Sequence, residues 1–512
     1  MSLAIDQPKQ LSGSQLALAT IALGLGSFMN ILDISIANVS LPSIAGDFAV
    51  SPAQGTWVIT SYAVSEAIML PLTGWLAGRI GDVRQFVIAT LLFTLASFLC
   101  GASPSFELLI LSRVLQGVVG ASMLPLSQSL IIKIFPSDKR GAALGIWSLT
   151  TIAGPIFGPI IGGWLTDNYV WRYVFFINIP FGVLCAYLVT KTMKGRQSKL
   201  VNLPVDKVGL ALLTVGVGAL QILLDKGNEL DWFNSPFILT LAVISSVTLT
   251  VLCIWELGEE HPMVNLRLFL NRNFLVSALC LSIGSFAFYI FVVIGPLWMQ
   301  TQLAYSPTRA GEVMAVTGAL SIFFGPFFGI NLGRIGAREV ATLGFISFGL
   351  AAWASGSISS DVSFEHLQLV RLLMGMGIAG FFVPMTAISL SQVHPNLISS
   401  ATGLTNFLRN MGGSVGTAVG VTLWQNQAAS YHSELAQNIS YNNLNNTEFT
   451  STLTSQGLSA GQINQYIEII LNSQAYLLST NRLMIMSGLI MICLVPVIWF
   501  AKPPFAGGGA GH

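Results

Sequence analysis

Long apolar runs recur along this whole chain and restrict its fold more than any other feature. About 20 apolar residues cross the hydrocarbon of a bilayer. Fourteen such runs can be marked, at residues 14–38, 52–76, 85–103, 107–132, 141–165, 172–191, 207–225, 236–256, 274–299, 308–331, 339–358, 367–392, 400–425 and 480–500. In hydrocarbon every backbone N–H and C=O must be paired within the structure, so isolated runs of this length fold as helices. The sequence predicts an all-α polytopic membrane protein with fourteen transmembrane helices, an even number that leaves both termini on one side.

Charge is scarce, 9% of residues against about 25% in an average soluble protein, so each charge is informative. Of the 23 Lys and Arg, four (Arg172, Lys226, Arg309, Arg482) fall on one side and three (Arg113, Arg371, Arg409) within runs, while the rest fall on the other side. Basic loops stay cytoplasmic, which predicts cytoplasmic N- and C-termini. A net charge of +1 offers no field for nucleic acid. The five cysteines stand singly in apolar runs, the pattern of buried thiols rather than disulfides or a metal site. The first run is longer than a signal-peptide core and has no small-residue cleavage site after it, so it reads as a span that stays.

The chain is written twice. Pro71, Gly74, Gly78, Arg79 and Gly81 recur as Pro326, Gly329, Gly333, Arg334 and Gly336, all one step apart, and Ser51-Pro52 recurs at the same step as Ser306-Pro307. Arg113-Val-Leu-Gln-Gly117 returns as Arg371-Leu-Leu-Met-Gly375, and Gly145 as Gly403. Runs 1–6 therefore match runs 9–14, with runs 7 and 8 inserted, a 6 + 2 + 6 plan. The expected units are a six-helix bundle at 1–191, a linker with two inserted helices at 192–273, and a second bundle at 274–512. Parallel halves of this kind place a substrate path between them. The second unit carries a polar outer loop at 426–479, of which 461–478 looks helical.

An ionisable side chain inside a span costs roughly 2.5 to 3.5 kcal/mol on insertion scales and is by default a functional candidate. There are six: Asp33, Glu66, Arg113, Glu312, Arg371 and Arg409. Asp33 and Arg113 fall at similar depth, so protonating Asp33 could free Arg113. Glu66, mid-span, is a second proton or cation site, and Arg409 a contact for an anionic substrate or an internal carboxylate. Asp33, Glu66 and Arg409 together are the candidate substrate contacts. Glu312 and Arg371, near span ends, read as interfacial anchors. The histidines lie in loops or at span ends, which removes a mid-membrane histidine relay, and no metal-ligand cluster is present. In run 5, Gly154, Pro155, Gly158, Pro159, Gly162 and Gly163 predict a bend with a smooth face.

At these residues the chain resembles the fourteen-span drug:proton antiporters of the major facilitator superfamily. Leu32-Asp33 through Pro42 resembles their first-span signature, and Pro71 to Arg84 their cytoplasmic loop motif. Arg113 to Gly117 resembles the fourth-span motif, Gly154 to Gly163 the antiporter motif of span 5, and Trp171 to Gly182 the start of span 6. By this resemblance Gly74, Arg79, Gly81 and Arg84 belong to a cytoplasmic gate. Where the family has an aspartate this chain has Gly78, and Asp82 is nearby but out of register. Leu224-Asp225-Lys-Gly227-Asn-Glu-Leu-Asp231-Trp-Phe233 and the tail from Trp499 to Gly509 are similar to the inner-membrane members of Gram-negative tripartite multidrug pumps. That implies proton-driven export of hydrophobic, often weakly acidic drugs from the inner membrane, with an EmrA-like periplasmic adaptor and a TolC-like outer-membrane channel, the 426–479 loop being the candidate adaptor contact.

Energy from ATP is not expected, since no Gly-Lys dipeptide occurs to start a phosphate-cradling loop; the proton gradient would drive transport and no cofactor is implied. A secondary transporter for one defined metabolite or a siderophore-like compound stays open as an alternative. A membrane enzyme or receptor is disfavoured by the duplicated halves and by the lack of a nucleophile elbow.

Overall fold

The computed structural model describes residues 11, 13–136, 139–196, 200, 204–438 and 451–505, and among them forms helices and no strand. In chain order these are α1 (Gly13–Asp47), α2 (Trp57–Met69 and Thr73–Ile80), α3 (Asp82–Gly101), α4 (Phe106–Ile134), α5 (Arg140–Asn168), α6 (Tyr173–Thr192), α7 (Lys207–Lys226) and α8 (Pro236–Gly258). There follow α9 (Arg272–Gln302), α10 (Pro307–Ile335), α11 (Ala337–Ser355), α12 (Phe364–Leu390), α13 (Ile398–Asn438) and α14 (Ala460–Ile498).

Their starts and breaks follow from local chemistry. The side chains of Ser105, Ser306 and Ser363 accept from the backbone N–H three residues on, and Ser459 forms a full capping box with Gln462. Prolines explain the interruptions, because each lacks the N–H owed to the carbonyl four residues back. Pro71 sits in the 3-10 turn Leu70–Leu72 that splits α2; Pro125 and Pro180 follow the breaks inside α4 and α6. Gly81 (φ 90°) and Gly336 (φ 97°) turn the chain into α3 and α11 at one repeat position, with a backbone that residues carrying a Cβ rarely adopt.

Ten helices among the described residues are long and apolar enough to cross a membrane: α1, α3, α4, α6, α7, α8, α9, α10, α12 and α14. Three of the other four runs expected from the sequence miss that mark for visible reasons. α2 is cut at Pro71, α11 begins with Arg338 and Glu339, and α13 is rich in Gly, Ser and Thr. Outward faces are apolar, as at Leu111, Ile254 and Trp353, which suits a lipid surround.

Helices α1–α6 pack on one another, as do α9–α14. The two groups meet where α5 lies along α10 and where α13 crosses α2 and the second part of α4. α7 packs on α8, α2 and α13. At and beyond its last turn it touches both groups: Lys226 donates to Thr56 at 2.7 Å and Thr60 to Asp225, while Trp232 donates to Thr422 at 2.9 Å and Asn228 to Gln425 at 3.2 Å.

Two expectations change. Much of the 426–479 segment is the continuation of α13 and α14, which run 41 and 39 residues, about 60 Å each and twice the hydrocarbon depth; 461–478 is helical, as its sequence indicated. The Trp424 and Tyr476 rings lie 4.6 Å apart, tilted at 50°, where the two helices pair, and Trp424 donates to Thr480 at 2.8 Å. Cys100, Cys185 and Cys280 are buried free thiols, but Cys253 and Cys493 are free and exposed on outward faces, because in a bilayer an apolar side chain needs no protein cover.

Candidate functional site

Asp33 of α1 and Arg113 of α4 meet inside the first helix group. Arg113 Nη1 donates to Asp33 Oδ2 at 2.6 Å and both side chains are 1% exposed. The other carboxylate oxygen accepts from Gln116 Nε2 and from Asn178 Nδ2, each at 2.9 Å. Arg113 also donates through Nη1 to Gln116 Oε1 at 2.7 Å and through Nε to the Val58 carbonyl at 2.9 Å. A guanidinium donates in its plane and stacks through its faces, and here the Tyr62 ring lies 4.4 Å and the Phe175 ring 5.6 Å from Cζ. Burying two charges is tolerable only when the remaining donors and acceptors are satisfied, and Gln116, Asn178 and the Val58 carbonyl serve that end.

Tyr62 extends this centre toward Glu66. Its hydroxyl accepts from Asn30 Nδ2 at 2.8 Å and donates to Glu66 Oε1 at 3.4 Å, one helical turn along α2. Glu66 is buried and enters no ion pair among the described residues. Arg409 of α13 and Tyr289 of α9 both feel its charge electrostatically, and Arg409 lies 5.9 Å over the Phe382 ring. The contacts Asp33, Arg113, Tyr62, Glu66 thus run through the first helix group, and Arg409 of the second group is near enough to feel the Glu66 charge.

Glycines allow the helices carrying these groups to approach. A Cβ on Gly117 would stand 2.4 Å from the Tyr62 carbonyl, and one on Gly375, its repeat mate, 2.3 Å from the Thr317 carbonyl. Gly154, Gly158 and Gly162 press α5 onto Ile31, Ser35 and Ile36 of α1, and Gly163 faces Thr308 of α10. That is the smooth face expected of run 5, on a helix that continues without a break from Arg140 to Asn168. Gly412 and Gly416 bring α13 onto the α9 backbone at Ser282 and Phe286.

Around the Gly81 and Gly336 turns the two groups are in contact. A Cβ on Gly74 would stand 2.4 Å from Ser400 Cα, and one on Gly329, the repeat mate of Gly74, 2.3 Å from the Gly141 carbonyl. A polar layer crosses the same seam: Asn406 donates to Gln128 at 2.9 Å, Ser129 pairs with Ser399 at 3.0 Å, and Lys133 donates to Ser399 at 3.4 Å and to Asp82 at 2.6 Å. Asp82 is 2% exposed. So although Gly78 supplies no carboxylate, Asp82 places one at this seam from the far side of the turn.

Of the residues singled out in the sequence, the structure brings Asp33, Arg113 and Glu66 into one connected centre with Arg409 beside it, and puts Gly74 and Gly81 at the seam and its turn. Arg79 lies exposed over Trp75 at 5.4 Å and Arg84 is exposed. Glu312 is exposed near the start of α10. Arg371, expected as an interfacial anchor, is instead 4% exposed and stacked 4.0 Å over Phe291. Sequence reasoning missed Gln116, Asn178, Tyr62, Asn30 and Gln128. Charge was the signal used, and these are neutral; an amide three residues beyond Arg113, on its own helix face, was the one clue available.

Comparison with known proteins gives the family. Residues 23–417 match the model of the Major Facilitator Superfamily. The chain is 40% identical to the multidrug export protein EmrB of Escherichia coli K12, over 99% of both chains. It is equally identical to the fatty acid resistance protein FarB of Neisseria gonorrhoeae, over 99% of this chain and all of that one. Among solved structures, the human organic anion transporter MFSD10 is similar with a TM-score of 0.58 at 13% identity, covering 94% of this chain and 100% of that one, a likeness of fold.

Proposed function

This chain belongs to the major facilitator superfamily, a multi-pass membrane transporter rather than an enzyme, and from that premise we propose that it exports hydrophobic and amphipathic drugs in exchange for protons. Fourteen spans in a 6 + 2 + 6 arrangement, with bundles at 1–191 and 274–512, unit 192–273 between them and both termini cytoplasmic, agree with the basic loops and the paired Gly81 and Gly336 turns. The observation that carries the reading is the buried path from Asp33 and Arg113 through Tyr62 to Glu66. Protonating Asp33 removes the charge that holds Arg113. Tyr62, stacked on that guanidinium and bonded to Glu66, transmits the change to the face where Glu66 and Arg409 meet substrate.

One proton moving down ~100 mV supplies about 2.3 kcal/mol and one pH unit about 1.4 kcal/mol. Together these sustain roughly a 500-fold gradient of a neutral substrate. The seam around Gly74 and Gly329 then serves as the cytoplasmic gate, closed here. The helical extensions of α13 and α14 supply the contact for a periplasmic adaptor, itself joined to an outer-membrane channel.

A narrower substrate range, fatty acids included, is favoured by the relative named for fatty acid resistance. Proteoliposomes with imposed pH and voltage gradients, challenged with a panel of drugs and fatty acids, test both. Drug uptake into inverted vesicles that ignores the proton gradient would remove the antiport reading.

A further inference from the structure

Arg371 repeats the position of Arg113 in the second helix group, but its environment differs. Where Arg113 has a carboxylate, Arg371 has an aromatic ring: Phe291 of α9 lies 4.0 Å from its Cζ, and no ion pair among the described residues includes it. The side chain is 4% exposed and its Nη1 has no hydrogen-bond partner among the described residues. Gly295, one turn along α9, leaves room for the guanidinium, since a Cβ there would stand 2.4 Å from Nη2.

Two further buried polar groups, without hydrogen-bond partners among the described residues, sit on α9 and α10, the helices packed against α12. Trp298 shares the α9 face of Phe291 and Gly295, and its buried Nε1–H is unpaired among the described residues. Thr317 of α10 packs against α12 at Gly375, one turn from Arg371, and its hydroxyl is unpaired too. A cation kept inside a membrane protein without a counter-charge is costly and marks a ligand path by default, and a buried donor left unmade loses its full solvation.

The geometry points to an anion subsite at Arg371, with Trp298 and Thr317 as neutral donors, that takes the carboxylate of an amphipathic acid. A single guanidinium matches one negative charge, and its two in-plane edges fit a planar carboxylate. The walls of Phe291, Leu367 and Met374, all buried apolar side chains, fit an alkyl or aryl body rather than a hydrated ion. This deepens the export reading by placing where an acidic substrate would bind, and it is tested by binding alone, without any gradient.

The experiment uses the full chain in phosphatidylcholine nanodiscs, titrated with sodium octanoate, with octanol and with sodium chloride, reading thermal stabilisation and the apparent Kd. Octanoate should stabilise saturably and octanol should not. R371Q should weaken octanoate at least ten-fold, R371K by less, and R309Q, which alters an exposed arginine near the start of α10, not at all. W298F, which keeps the ring and removes its donor, should weaken octanoate several-fold and decides the matter if R371Q does not fold. The inference is overturned by R371Q, or by W298F in its place, binding octanoate like the parent, or by octanol binding as well as octanoate. Displacement of octanoate by equimolar chloride would assign the site to an inorganic anion, and its loss in phosphatidylglycerol nanodiscs to a lipid headgroup; either overturns it. Octanoate binding without proton exchange would instead remove the export reading and leave this subsite standing.

Discussion

The Tyr62 ring lies 4.4 Å over the Arg113 guanidinium, so one aromatic side chain covers the buried cation while its hydroxyl bonds to a second carboxyl, Glu66, at 3.4 Å. Asp33 and Glu66, on different helices, are thereby parts of one centre.

Asp33→Asn should abolish drug-dependent proton flux and drug resistance while the protein still reaches the membrane. Leaving Arg113 buried without its counter-charge costs about 3 to 5 kcal/mol, read as a lowered melting temperature. D33N/R113Q should regain much of that stability and none of the flux. Vesicles carrying D33N that exchange protons like the parent would remove Asp33 as the proton site.

Tyr62→Phe keeps the ring on Arg113 and deletes the hydroxyl that Asn30 and Glu66 share. Stability should fall by about 1 kcal/mol, and the proton-to-drug ratio should change more than drug affinity. Tyr62→Leu, losing ring and hydroxyl, should cut turnover at least ten-fold. Equal flux ratios in Y62F and parent would break the proposed link between the two carboxyls.

Gly74→Ala adds a methyl where 2.4 Å separates the Cβ position from Ser400 Cα. Backbone cannot yield there, so α2 and α13 should part around the Gly81 turn. Maleimide labelling of S400C in inverted vesicles should then quicken several-fold in the G74A background. An unchanged rate would show that Gly74 does not govern this seam.

Lys133→Met removes the ammonium that pairs with the Asp82 carboxylate, which is 2% exposed. Stability should fall by roughly 1 to 3 kcal/mol and return in K133M/D82N. Failure of the double variant to recover would mean that Lys133 acts mainly through Ser399, its other partner across the seam at 3.4 Å.

Much was legible from order along the chain alone. Apolar runs gave helices because hydrocarbon leaves a backbone few other solutions. The spacing of Pro71, Gly74 and Gly81 against Pro326, Gly329 and Gly336 announced two related units, and both glycine turns adopt the same positive φ. Asp33, Glu66, Arg113 and Arg409 could be named because a charge in an apolar run is conspicuous.

What stayed hidden depended on which residues distant in sequence become neighbours. Gln116 and Asn178 are ordinary amides until folding sets both 2.9 Å from Asp33. Asp82 was out of register with a motif, yet Lys133 reaches it at 2.6 Å. Arg113 and Arg371 occupy one repeat position and look alike in the sequence, but the first is paired with a carboxylate and the second with a phenyl ring. By itself the sequence determined the helices, the repeat and the scarce charges, since these follow from solvation and local backbone geometry. Only the tertiary structure decided which charges are neutralised and where the two helix groups touch, because contact energies fall away within a few ångströms and residues 80 or more positions apart come that close only when the chain is packed.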